Sequence, residues 1–89
     1  MKFTWSEAKR KSNLKSHGLD FADAPEVFAG PTFSFEDDRL VYNEPRFVTL
    51  GLLRGIPVSI VHTENPDQIR VISFRKATKN EQIIFFQNI

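Results

Sequence analysis

The sequence predicts a two-layer α+β domain: helices at the N-terminus, an antiparallel sheet meander in the middle and one helix at the C-terminus. Three observations carry that reading. Phe21, Ala24, Val27 and Phe28 recur at helical spacing, whereas 46–53, 57–64 and 69–75 are runs rich in β-branched and aromatic residues. Two short connections, Arg54-Gly55 and Asn65-Pro66-Asp67-Gln68, join those runs, so consecutive strands pair antiparallel. Thr78 followed by Glu81 spells a capping box, which starts a helix over about 78–88.

In chain order, Lys2-Phe3-Thr4-Trp5 alternates polar and apolar and reads as a short strand. Ser6 can cap and Glu7 suits a first turn, so a helix runs to about Ser16, where His17-Gly18 stops it. Asp20 with Asp23 opens a second helix by the same capping, closed by Gly30-Pro31. Residues 32–35 form a short strand, Glu36-Asp37-Asp38 a solvated acidic turn, and 39–42 a further edge segment. The last helix carries Ile83, Ile84, Phe85 and Phe86, which serve either as core or as a partner surface, the core being favoured.

Eighty-nine residues suffice for one domain, 1–89, with a single modest core. With no cysteine there is no disulfide, thiol nucleophile or cysteine-based metal site. No run has signal-peptide or membrane-span character, which predicts a soluble cytoplasmic protein with no membrane partner. The net charge of +1 conceals a division along the chain. Lys2, Lys9, Arg10, Lys11 and Lys15 stand against Glu7 at the front; acids crowd 20–45; and cations again prevail over 46–89. If the two ends meet, they make a cationic surface able to face RNA or DNA; an acidic segment folded back on them would cancel it.

Arg70, Arg75 and Lys76 lie on or beside a strand end, where a guanidinium fork is held in place to take two phosphate oxygens. Equally, strand arginines lie along a sheet with packed stems and solvated heads. Strict alternation puts Arg70 and Arg75 on opposite faces, so both reach one phosphate only past the strand end or through a bulge. An Arg75–Glu81 pair tying strand to helix is the structural alternative for Arg75. Three adjacent acids seldom converge on one ion, so no metal site is expected.

With these residues placed, the chain resembles the BrnT family of bacterial type II toxins, small ribonucleases with a RelE-like fold. The likeness spans nearly the whole length. It rests on Phe3-x-Trp5, Lys9, Asn13, His17-Gly18, Phe21, Ala24 and Val27-Phe28 at the front, and on Pro31, Asp37-Asp38, Glu44, Arg46-Phe47 and Gly51 in the middle. At the end it rests on Thr63-Glu64, 69–73, Arg75-x-Ala77-Thr78 and Glu81. The resemblance implies a metal-independent endoribonuclease without cofactor, silenced by a BrnA-type antitoxin whose ribbon-helix-helix part binds operator DNA.

Cleavage without metal uses the 2′-hydroxyl as nucleophile and needs a proton acceptor, charge stabilisation and a proton donor. Arg46, Arg70 and Arg75 are candidates for phosphate binding and transition-state charge. His17 and Glu64 can accept a proton, and Lys9 and Lys76 are candidate RNA contacts. Two departures stand out. Ser6 replaces a usual Asp, harmless if that position only caps, and Phe85 stands where the family tends to carry Tyr, which bears on activity if the hydroxyl takes part. The competing readings are a member that keeps antitoxin binding without useful cleavage, and a plain nucleic-acid-binding module.

Overall fold

The computed structural model describes residues 1–38 and 43–89, so the edge segment expected over 39–42 lies outside the described residues. The elements run β1 (Lys2–Thr4), α1 (Glu7–His17), a 3₁₀ turn (Phe21–Asp23), α2 (Ala24–Phe28), β2 (Phe33–Glu36), β3 (Phe47–Leu53), β4 (Ile56–Asn65), β5 (Gln68–Lys76) and α3 (Lys79–Gln87).

Local chemistry sets most of the boundaries. Ser6 caps α1 through the Lys9 N–H, and Gly18 closes it at φ 70° with its N–H on the Leu14 carbonyl. Asp20 accepts from the Ala22 N–H, but the element it opens is a 3₁₀ turn; α-helix begins only at Ala24, with Pro25 in the first turn. Arg54 and Gly55, at φ 49° and 83°, give the β3–β4 hairpin a twist that suits its strands. The Asn65 carboxamide oxygen accepts from the Asp67 and Gln68 N–H groups and turns the chain into β5. Thr78 and Glu81 make both bonds of the expected capping box.

The sheet order is β1-β5-β4-β3-β2. The antiparallel meander is present, but β1 joins it parallel to β5, placing Arg70 inside the sheet opposite Thr4. A bulge interrupts the β4–β5 ladder: Val61 pairs with Ser73 and His62 with Val71, which leaves Ile72 as the extra residue.

Apolar side chains fill both faces. On the inner face, Phe21, Ala24 and Val27 pack against Val58, Ile60, Val71 and Phe74, with Phe3, Trp5 and Phe28 around them. Gly51 makes room there, since a Cβ would stand 2.7 Å from Val27 Cγ1. On the outer face α3 presses Phe85 onto Val48 and Leu50. Of the helix's apolar residues, Phe85 is buried and Ile84 half-buried, while Ile83 and Phe86 are exposed, so only part of it is core. The acidic run also departs from a solvated turn: Glu36 ends β2 and Asp37 is buried, its N–H bonded to the Arg46 carbonyl at 2.7 Å.

Candidate functional site

Strand register builds a row of side chains across one end of the outer face. Thr4 opposes Arg70, and Arg70 opposes Thr63. One step past the Phe47–His62 pair, the β3–β4 register brings Arg46 opposite Thr63. The Asp37–Arg46 backbone bond extends the β2–β3 ladder likewise. Opposed residues share a face, so Thr4, Arg70, Thr63, Arg46 and Asp37 all belong to the outer one. Arg46 and Arg70 are two strands apart, roughly 10 Å between backbones, close enough for two long guanidinium side chains to converge on one phosphate.

The bulge settles the alternation problem. Arg75 opposes Ser59 and Arg70 opposes Thr63, four residues apart on β4, so Ile72 as the extra residue returns both arginines to the same face. They are nevertheless differently employed. Arg75 forms a two-bond pair with Glu81 at 2.7 and 3.0 Å and donates to the Lys76 carbonyl. Burial pushes the Glu81 carboxyl up, but the bonds from Arg75 and the Thr78 N–H outweigh it and hold the acid below its ordinary value.

Arg70 differs from its paired neighbours. Arg10 makes two bonds to Asp20 and one to Glu7, holding its own charge firmly, and Arg54 bonds Asp23 and Glu26. Arg70 is exposed and has no hydrogen-bond or ion-pair partner among the described residues. The two basic ends therefore do meet, α1 lying along β5, while the acidic segment neutralises Arg10 and Arg54 but not Arg70.

The remaining expected residues fall in three places. Lys9 and His17 line one polar groove between α1 and β5, with Ser12, Asn13, Ser16 and Ile72. Lys76, opposite Val58, is exposed on the inner-face register at the far end of β5, roughly 20 Å along the strand from Arg70. Glu64 opposes Ile69, which also puts it on the inner face, away from the arginine row.

Two residues escaped sequence reasoning. His62 is fully buried between the rings of Phe28 and Phe47, its Nε2 at 2.7 Å from the Thr49 hydroxyl, which in turn meets Ser34 Oγ at 2.7 Å. Its Nδ1 stands 3.4 Å from Glu64, and desolvation lowers its pKa to about 4, so it is neutral there. Asn13 is the second: its carboxamide donates to the Leu19 and Phe74 carbonyls and accepts from the Phe74 N–H, imitating a strand at the sheet edge. Its place in the family pattern was visible; its bonds to a residue 61 positions away were not.

Among the described residues no cluster of three or more His, Cys, Asp or Glu is placed to hold a metal ion, and no helix is long and apolar enough to cross a membrane. What the fold and site define is a small α+β protein with Arg46, Arg70 and Arg75 on one sheet face, suited to an anionic polymer. Residues 5–81 match the family model described as ribonuclease toxin, BrnT, of type II toxin-antitoxin system, and the chain belongs to that family. It is an endoribonuclease toxin with a cognate antitoxin as partner, and its α+β fold is the RelE-like one that the resemblance implied. No curated protein matches the chain.

Proposed function

We propose that this toxin acts as one cytoplasmic domain that cuts RNA without a metal ion, holding the scissile phosphate between Arg46 and Arg70. The observation that carries the reading is the Arg46–Thr63–Arg70 row, with Arg70 exposed and unpartnered among the described residues. In the reaction a ribose 2′-oxygen loses its proton and attacks the adjacent phosphorus. The 5′-oxygen of the next nucleotide leaves and takes up a proton, giving a 2′,3′-cyclic phosphate and a free 5′-hydroxyl. Two guanidinium groups stabilise the extra negative charge of the pentavalent state. Arg75, bound to Glu81, acts as a positioning residue that fixes α3 on the outer face.

His17 is the better placed of the two proton carriers. It lines the groove that reaches β5 at Ile72, two residues from Arg70, whereas Glu64 is on the other face beside His62. The antitoxin is of BrnA type, and through it the pair represses its own operon.

The test is cleavage of RNA in chelator. Arg70→Ala should lower the rate roughly a hundredfold while the protein stays folded, the size of a lost transition-state donor. Equal cleavage by the variant would remove Arg70 from the site. A specific observation favours one other reading, a member that binds without cutting: Phe85, at the family's tyrosine position, is 1% exposed and packed on Val48 and Leu50. Wild type that binds RNA and antitoxin yet leaves RNA whole would establish that reading instead.

A further inference from the structure

We propose that the groove between α1 and the bulge of β5 is a second phosphate subsite, which holds the RNA phosphodiester next to the one taken by Arg46 and Arg70. The proposal rests on the RNA-cleaving reading above. Its geometry follows from how the outer edge of β5 is covered. β1 pairs with β5 only as far as Arg70, through Thr4. Farther on, Asn13 occupies the edge at Phe74. Between those two covers lies the bulge, and there the groove opens with Ile72 in its wall.

The opposite wall is one stripe of α1. Lys9, Ser12 and Ser16 follow at intervals of three and four, so they stand on one helix face, with His17 beside them. Among the described residues the side chains of Lys9, Ser12, Ser16 and His17 have no hydrogen-bond or ion-pair partner. Asn13 is occupied with Phe74 of β5 and with the Leu19 carbonyl, so it shapes the groove without donating to a ligand. Among the described residues no carboxylate lines the groove, and nearby Glu7 and Asp20 are bound to Arg10. The lining is therefore one ammonium, an imidazole and two hydroxyls, donors that suit phosphate oxygens and offer little to an apolar or cationic ligand.

Spacing connects the groove to the arginine row. Ile72 is two residues beyond Arg70, roughly 7 Å along the strand, a distance that one nucleotide spans. A strand of RNA with one phosphate at Arg46 and Arg70 thus passes the end of β1 and sets its neighbouring phosphate against Lys9 and Ser12. His17 lies along the same path.

Binding of fully 2′-O-methylated oligonucleotides, which lack the nucleophile and stay intact, separates the two subsites. Fluorescence anisotropy of a two-nucleotide and a six-nucleotide probe would be followed over a series of salt concentrations. Ser12→Glu and Lys9→Ala, both at exposed positions, should weaken six-nucleotide binding about tenfold and leave two-nucleotide binding unchanged. Lys9→Ala should also flatten the slope of log K against log salt by about 0.7, the value of one phosphate contact on a single strand. Arg70→Ala should weaken both probes. Six-nucleotide binding by both groove variants with wild-type affinity and slope, while Arg70→Ala fails, would overturn the groove and leave the arginine site standing. Wild type that binds neither probe would overturn the parent reading and the groove with it.

Discussion

At His62 burial decides the chemistry. The unfolded chain binds a proton there near pH 6.5, whereas the folded protein resists until about pH 4. Stability from the neutral ring is thus complete above the unfolded value and is lost as pH falls towards the folded one, about 3 kcal/mol in all. Urea unfolding at stepped pH should reveal that decline, and His62→Gln should flatten it over the same interval. Nothing in the spacing of residues singled out this histidine, since its neighbours Phe28, Phe47 and Thr49 come from distant parts of the chain. Arg70, by contrast, was legible as a candidate because a cation on an apolar strand is visible locally. Its lack of a partner was not, because that depends on where every acid ends up.

Among the elements, those specified by adjacent residues were the readable ones. The capping box of α3 needs only Thr78 and Glu81, and Thr78→Ala should cost about 1 kcal/mol and speed amide exchange in the first turn of the helix. The two turns of the meander were equally local. The parallel pairing of β1 was not, because three residues without a connecting turn carry no information about their partner. Nor was the bulge, since Ile72 continues an unbroken apolar run and only the opposing strand reveals it as an extra residue. Contact between α2 and β3 makes a sharper test of packing. Gly51→Ala should destabilise by roughly 1–3 kcal/mol through its approach to Val27, as measured by thermal unfolding, and trimming Val27 to Ala should make the added methyl cheaper.

For the whole molecule, the join between α1 and β5 is held from one side chain. Asn13 makes three buried bonds from α1, two of them to β5, and a side chain that cannot satisfy those groups leaves them stranded. Asn13→Ala should therefore cost roughly 3 kcal/mol or more, and hydrogen exchange at the Phe74 amide should speed ahead of exchange in β3 and β4. The division of charge along the sequence foretold that such a join would be basic. Which cations would stay uncommitted was a matter of pairing in space: Asp20 takes Arg10, Glu26 takes Arg54, Glu81 takes Arg75, and Arg70 is left exposed.

The parallel pairing of β1 with β5 also carries a consequence in time. Synthesis runs from N- to C-terminus, so Lys2–Thr4 emerges well before Gln68, Ile69 and Arg70, its sheet neighbours among the described residues. Asn13 waits likewise for Phe74. Contacts of such long sequence separation form late, after the loop between them has been closed. A ribosome making this toxin therefore handles a chain in which the Arg46–Thr63–Arg70 row does not yet exist, and the row is assembled only after β5 has been made.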